Sequence, residues 1–413
     1  MKKMNFLWGT LFFLVVSVIP VQAAETLKEF LLEGTPYIDA RYRYEFVDQD
    51  GAAITADANA STLRTRLGYK TGTFYDFSGV FELENVLEVG NDDYNNTINR
   101  RADHPVVADV ENTEINQVFL TYKGLADTAL NVGRQRIVVD DHRFIGDVGW
   151  RQGNQTFDGV TLTNKSIEDV VAKYGYIGNV NRIFGDDPAA GDWESNSHFY
   201  NVSYAGLPFG KLTTYGYLLD FQGESPGNSS QTYGVSLTGK QALNDEITLK
   251  YYGEYAYQMD HADNITDYGA NYYRVAPALA WKGLTTTIGY EVLGSDNNKG
   301  FSTPLATGHK FNGWADKFLG TPAKGLEDFY VDVTYKLSGL EGNFDFLNGL
   351  LTKVQYHDFN ADKGGADYGS EWGFFAQKSI NKNVYVQAKY ANYNADTFAT
   401  DTKKFTFGVG VKY

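Results

Sequence analysis

The sequence predicts an all-β protein, a transmembrane antiparallel β-barrel of about eighteen strands preceded by a cleavable signal peptide. Three observations support this prediction. Apolar and charged residues alternate along repeated segments of about ten residues, the length that a tilted barrel strand needs. Long and short connectors alternate between these segments, and the final segment ends on an aromatic residue, Tyr413.

The N-terminal residues have the order typical of a secretory signal peptide. A basic start precedes the apolar stretch Phe6–Ile19 and the small-residue site Val21-Gln22-Ala23. The apolar stretch is shorter than the about 20 residues that a spanning helix needs, which disfavours the alternative of a permanent anchor. We therefore predict that residues 1–23 are a signal peptide and that residues 24–413 form a single barrel.

The first segment shows the alternation that recurs along the chain. One face is apolar and the other is charged: Ile38, Ala40, Tyr42, Tyr44 and Phe46 oppose Asp39, Arg41, Arg43 and Glu45. A soluble sandwich would bury the apolar face, whereas a membrane barrel turns it toward lipid and lines its lumen with the charged face. Repetition over about eighteen segments favours the barrel. Tyr215, Tyr217, Leu219 and Phe221 form another apolar face, which we expect to contact lipid.

Connector length gives an independent indication of a barrel. The odd-numbered connectors are mostly long: Asp48–Ala60, Gly90–Thr113, Val138–Asn154, Gly178–Ser195 and Gly294–Leu326. The even-numbered connectors are mostly short, as at Gly124–Thr128, Gly206–Gly210 and Lys282–Gly283, with Ser338–Gly349 as an exception. Outer-membrane barrels have long external loops and short periplasmic turns. We therefore expect both ends of the barrel in the periplasm.

The last segment resembles the C-terminal recognition strand of outer-membrane barrels. Phe405, Phe407, Val409, Val411 and Tyr413 alternate with small or polar residues. The alternative is an ordinary edge strand. The resemblance implies that the barrel-insertion machinery of a Gram-negative bacterium recognises this strand, and that outer-membrane lipid and lipopolysaccharide surround the barrel.

Composition excludes several classes of function. The net charge of −15 disfavours nucleic-acid binding, and the absence of cysteine excludes disulfides and thiol chemistry. No helical metal motif and no strained nucleophile motif is present, so we expect neither an enzyme nor a metal or other cofactor. Acidic loops could hold calcium, but without a spaced calcium-loop motif simple solvation is the better interpretation.

Basic residues within the strands must point away from lipid, because one of them at mid-bilayer costs about 2–4 kcal/mol on the lipid face. We therefore expect a basic lumen lined by Arg41, Arg43, Arg64, Arg66, Arg274, Lys353 and Lys389. Two interpretations remain open. Such residues can select anions by their field, or they can form a ladder of arginine–carboxylate pairs that stiffens the wall.

The densest cluster of charge lies in Gly133–Val160, which contains Arg134, Arg136, Arg143 and Arg151. Alternation fails at Arg134, so either a bulge resets the register or the strand ends there. We expect residues 138–154 to form a loop folded into the lumen. Its arginines would either line a constriction that meets anionic solutes or hold the loop through salt bridges.

Two runs resemble the signature segments of the alginate-export family of outer-membrane porins. The first is Gly133–Val160, and the second is His309–Pro322, followed by Gly325-Leu326-Glu327-Asp328. The resemblance implies a monomeric eighteen-stranded barrel that passes a polyuronate. It assigns the four arginines of the first run to an electropositive pore wall. It assigns to a pore-associated loop the residues His309, Lys310, Asn312, Trp314, Asp316 and Lys317.

Function is predicted to be passive transport of small anionic or carbohydrate solutes, including uronates. Acids at expected lumen positions argue against a polyuronate: Glu82, Glu84, Glu254 and Glu291. The alternatives are a receptor or adhesin with a plugged lumen and, less favoured, a barrel-embedded hydrolase. A hydrolase would need a serine, a histidine and an acid grouped at one rim, and the sequence shows no such group.

Overall fold

The computed structural model describes residues 26–186, 188–223 and 225–413. The predicted signal peptide at residues 1–23 lies outside them. The first element is the helix α1 (Leu27–Leu32), which begins with a capping box between Thr26 and Glu29. No helix in the described part of the chain is long and apolar enough to cross a bilayer.

The remaining elements are almost entirely strands. The first eleven are β1 (Thr35–Gln49), β2 (Ala58–Lys70), β3 (Phe77–Asp93), β4 (Asn112–Leu125), β5 (Thr128–Gln135), β6 (Thr156–Asn164), β7 (Val170–Asn181), β8 (Asp192–Leu207), β9 (Gly210–Leu219), β10 (Ser230–Ala242) and β11 (Ile247–Asp260). The others are β12 (Gly269–Val275), β13 (Ala278–Trp281), β14 (Leu284–Leu293), β15 (Ser295–Asp296), β16 (Lys299–Gly300), β17 (Leu326–Lys336), β18 (Leu351–Asn360), β19 (Asp367–Ser379), β20 (Val384–Ala395) and β21 (Thr402–Lys412). Short 3₁₀ helices lie at Ala189–Gly191, Pro226–Asn228, Gly308–Lys310 and Gly342–Leu347.

The sheet closes into a barrel because β1 pairs with both β2 and the last strand, β21, in antiparallel register. β12 and β13 are two parts of one barrel strand, since each pairs with β11 and with β14. They are separated at Pro277, which has no N–H for the ladder. Counting them once, and leaving out the small β15–β16 hairpin, gives eighteen barrel strands. The predicted fold class is confirmed.

Connector lengths alternate as predicted. One rim carries the connectors 50–57, 94–111, 136–155, 182–191, 220–229, 261–268, 294–325, 361–366 and 396–401. The other rim carries the turns 71–76, 126–127, 165–169, 208–209, 243–246, 282–283, 337–350 and 380–383. We call these the long-loop rim and the short-turn rim. The turn 337–350 is the long exception that the sequence indicates, and it contains a 3₁₀ helix.

The two faces of the wall differ as the alternation predicts for β1 and β2. Arg41, Arg43, Arg64 and Arg66 point inward and are each at most 6% exposed, whereas the outward-facing Leu67 is 53% exposed. Charged side chains are thus kept from lipid, where they would be costly.

The orientation expected for β9 is wrong. Tyr215 and Tyr217 face the lumen and are almost fully buried, while Leu212 on the same strand is exposed to the outside. The reason is an apolar cluster inside the barrel. Phe144, from the connector 136–155, places its ring centroid 5.3 Å from those of both tyrosines. Leu219 and the adjacent Phe221 belong to the same cluster.

Candidate functional site

Two long connectors fold into the lumen and pack against each other. We call residues 136–155 loop A and residues 294–325 loop B. Ile145 and Leu305 form a parallel bridge between them, and the Gly146 N–H donates to the Leu305 carbonyl at 2.9 Å. The loop expected at residues 138–154 therefore lies inside the barrel, where it meets a second loop.

The loops also meet in an aromatic stack. The rings of Trp150 in loop A and His309 in loop B lie 3.4 Å apart between centroids, with an interplanar angle of 11°. His309 Nδ1 is 2.6 Å from Asp316 Oδ1, and His309 Nε2 is 2.6 Å from Lys389 Nζ on β20. Burial disfavours the imidazolium and lowers the pKa of His309 to about 3, although Asp316 opposes this. A neutral His309 can donate to Asp316 and accept from Lys389.

Wall arginines of β1 hold loop A through its backbone. Arg41 Nη1 donates to the Gly149 carbonyl at 3.2 Å, and Arg43 Nη1 donates to the Trp150 carbonyl at 2.7 Å. The Gln152 side chain donates in return to the Arg41 carbonyl at 3.2 Å. Each buried guanidinium has several N–H donors that need acceptors. Backbone carbonyls of loop A accept some of these hydrogen bonds and so fix the loop to the wall.

Loop A is also held by a buried ion pair on the opposite wall. Arg143 Nε lies 2.8 Å from Glu291 Oε1 of β14, and Arg143 Nη2 donates to Asn312 Oδ1 of loop B at 3.0 Å. Asn312 Nδ2 donates in turn to Glu291 at 2.7 Å and to Asp328 at 2.9 Å. One network therefore joins both loops to the wall.

A second buried network surrounds Glu45. Its carboxylate is contacted by Arg43, by Arg151 at 3.0 Å and by Lys404 Nζ at 3.5 Å. Lys404 also reaches Asp316 of loop B at 2.5 Å. Lys404 was not singled out from the sequence. Because it directly precedes the apolar Phe405 of the last strand, it lies on the opposite, lumen-facing side of that strand.

Other predicted basic residues are also paired. Arg64 donates to Asp39 at 2.5 Å, Arg66 pairs with Glu84, Arg274 donates to Asp141 at 2.6 Å, and Lys353 pairs with Asp332. Arg134 stands apart from both loop networks and forms a bidentate pair with its cross-strand neighbour Asp158 at 2.8 and 3.0 Å. Arg136 is 38% exposed, and its closest carboxylate is that of Asp147 at 3.7 Å.

Three lysines around the loops differ from these arginines. Lys310 Nζ donates to the Asp141 backbone carbonyl at 2.7 Å, Lys317 Nζ donates to Gln49 at 2.9 Å, and Lys389 donates to His309. Within the described ranges, none of the three lies within 4.0 Å of a carboxylate oxygen. Lys389 also lies over the ring of Trp314, 4.7 Å from its centroid. These lysines, which we call the loop lysines, are basic groups without an ion-pair partner in the described part of the chain.

The four glutamates that argued against a polyuronate are engaged inside the barrel. Glu82 accepts from Tyr37 at 2.7 Å, and Glu254 accepts from Tyr215 at 2.7 Å. Glu84 and Glu291 pair with arginines. Glu82, Glu84 and Glu291 are at most 3% exposed, so they present little negative charge to a solute.

A cavity of about 670 Å³ lies on the long-loop side of the stack. It is bordered by Trp150, His309, Lys317 and Lys404, and by residues of the connectors 94–111 and 182–191. Its size is within the range of about 300–1,000 Å³ typical of small-molecule sites. Among the described residues, no group of three or more acids and histidines is placed to hold a metal ion.

Comparison with known proteins identifies the family. A family model described as alginate export matches residues 36–292, which is more than half of the chain. The chain belongs to the alginate export family. The family resemblance predicted from the sequence is thus confirmed, although loop B lies beyond the matched residues.

Solved structures with the same fold are outer-membrane porins. OccAB4 of Acinetobacter baumannii is 16% identical to this alginate-export barrel, with 95% of this chain and 99% of that chain covered and a TM-score of 0.69. OpdK of Pseudomonas aeruginosa with vanillate is 14% identical, with 93% and 99% covered and a TM-score of 0.70. No functionally curated protein matches the sequence. Family and fold are those of a channel in the Gram-negative outer membrane, as predicted.

Proposed function

We propose that this alginate-export barrel is a passive, anion-preferring channel whose solutes are small acidic carbohydrates such as uronates. The observation that carries the proposal is the group of loop lysines, Lys310, Lys317 and Lys389, placed around the contact of loops A and B. Basic groups that line a pore attract anions by their field. The wall arginines serve a different role, because most of them pair with carboxylates and Arg41 donates from all three guanidinium nitrogens to loop A.

Aromatic side chains complement the loop lysines. Trp150 and His309 border the long-loop cavity, and Trp314 lies beneath Lys389. The faces of Trp150 and His309 are stacked on each other, so the cavity offers a sugar ring their apolar edges, while Lys317 beside them meets the carboxylate. Vanillate, found with the structurally similar OpdK, is also a small carboxylate, in line with this solute class.

The cellular context completes the proposal. Residues 1–23 are removed during export, and the insertion machinery recognises the β21 segment that ends at Tyr413. The barrel works as a monomer surrounded by lipid and lipopolysaccharide. It performs no catalysis.

Liposome swelling tests the transport proposal. Vesicles containing the barrel should swell faster in isotonic sodium galacturonate than vesicles without protein. The same vesicles should swell more slowly in lysine hydrochloride, which supplies an organic cation of similar size, than in sodium galacturonate. Equal entry of the two solutes would contradict anion preference. No swelling in either would support the alternative of a plugged receptor, in which loops A and B stay closed.

A further inference from the structure

A second group of unpaired lysines lies at the opposite end of the lumen from the long-loop cavity. Lys211 is on β9, Lys240 on β10 and Lys250 on β11, all near the short-turn rim. The register places Lys240 directly opposite Lys250. Lys211 lies opposite Thr238, two residues from Lys240. Three adjacent strands therefore bring three lysines together.

Strand parity turns these lysines toward the lumen. Lys211 lies on the same face of β9 as Thr213 and Tyr215, both 1% exposed within the barrel. Lys250 shares its face with Glu254, which accepts from the lumen-facing Tyr215. Because Lys240 is the direct cross-strand partner of Lys250, its side chain leaves the sheet on the same face.

Short side chains leave space beside this group. Lys240 and Lys250 border a cavity of about 540 Å³, together with Tyr252, Ala278 and Thr287. Ala278 pairs with Lys250 on one side and with Thr287 on the other, so two neighbouring strands contribute little volume there. Of the residues that the structure describes, no acidic one lines this cavity.

The charge of this group is not compensated by the protein. In the described part of the chain, none of the three lysines has a carboxylate oxygen within 4.0 Å. Glu254 and Asp332, which share the lumen face, are engaged by two tyrosines and by Lys353, and Glu246 of the turn 243–246 pairs with Lys282. Like charges directly opposite each other in a sheet are destabilising. An anion held between Lys240 and Lys250 would remove that repulsion.

We propose that Lys240 and Lys250, with Lys211 beside them adding positive charge from outside the cavity lining, form a binding station for an oxyanion group, a carboxylate or a phosphate, on a small solute at the periplasmic mouth of the lumen. The inference deepens the proposed function and rests on it, since the station would hold the solute that the channel passes. The cavity falls within the about 300–1,000 Å³ of small-molecule sites. It is separate from the loop lysines and from the long-loop cavity.

Calorimetric titration of the full barrel in detergent tests the station, with sodium galacturonate and inorganic phosphate as separate probes. The double variant Lys240→Gln/Lys250→Gln should bind at least one probe about tenfold or more weakly than the wild type, because two charge-assisted hydrogen bonds are lost. The probe whose binding is weakened shows whether the station takes a carboxylate or a phosphate. Lys336→Gln is the matched control. Lys336 also faces the lumen near the short-turn rim, but it does not line the cavity. It should bind like the wild type.

Unchanged affinity in the double variant, or no binding of either probe by the wild type, would overturn the station. Reversal potentials of the same proteins in planar bilayers separate this outcome from failure of the proposed function. If the wild type prefers anions but the double variant binds the probes equally well, only the binding station is contradicted. If the wild type shows no anion preference but the double variant binds a probe more weakly, the station is supported and the transport proposal is contradicted.

Discussion

The Arg143–Glu291 pair provides the sharpest test of how loop A is held. Arg143→Met removes a buried cation from the loop. Among the described residues, Glu291 of β14 then keeps Tyr272, at 2.6 Å, and Asn312, at 2.7 Å, as donors. Both charged side chains are at most 3% exposed. Removal of one partner from such a pair costs about 3–5 kcal/mol, because the other charge stays buried and unpaired.

This cost should appear as detachment of loop A while the barrel remains closed, because the pair joins the loop to the wall. About 3–5 kcal/mol corresponds to an increase of roughly 150-fold to 5,000-fold in the detached population. Chymotrypsin cleavage at Phe144 and Trp150 in the folded barrel would measure that population. Heat-modifiable gel mobility would show that the barrel itself is intact.

A double variant separates charge burial from a general loss of packing. In Arg143→Met/Glu291→Gln neither charge remains, so cleavage should fall most of the way back toward the wild-type rate. Arg101→Gln is the control, because its ion pair with Asp92 is exposed and worth about 0–1 kcal/mol. A single variant cleaved less than tenfold faster than the wild type, or a double variant as labile as the single, would show that the Arg143–Glu291 pair does not hold loop A.

Three further predictions concern topology, insertion and pH. An epitope inserted at Asn95, in the connector 94–111, should be detected by antibody on intact cells; detection only in permeabilised cells would invert the topology. Deletion of Phe405–Tyr413 should leave the protein in the periplasm, because β1 loses its closing partner; normal levels in outer-membrane fractions would contradict this. Burial lowers the pKa of Lys317 to about 8, so its charge is lost as pH rises through that value. Anion preference should therefore weaken between pH 7 and pH 9, and less so in Lys317→Gln; a reversal potential that is constant over this range would contradict the role of Lys317.

The wall of the barrel could be predicted from the sequence because its signals are local. Alternation on β1 separates Arg41 and Arg43 from Tyr42 within a few residues, and connector lengths follow directly from strand positions. The same rule is wrong for Tyr215 and Tyr217. Parity gives two faces but does not say which one meets lipid when loop A fills the lumen with apolar side chains such as Phe144.

The site was harder to predict because its contacts join distant parts of the chain. Arg41 meets Gln152 across 111 residues, and Arg143 meets Asn312 across 169 residues. The sequence left open whether the arginines select anions or form salt bridges. Most of them lie in ion pairs or hold loop carbonyls in the structure, which favours a structural role. No local pattern marks Lys389 as the partner of His309, since their contact needs the folded loop B.

The proposed function assigns the channel's preference for anions to the loop lysines and not to the wall arginines. The most direct measurement is the reversal potential across a planar bilayer under a potassium chloride gradient, for the wild type and for Lys310→Gln/Lys317→Gln/Lys389→Gln. The wild type should prefer chloride, and the triple variant should lose most of that preference while keeping its heat-modifiable mobility. A wild type that prefers potassium, or a triple variant with unchanged preference, would contradict this assignment.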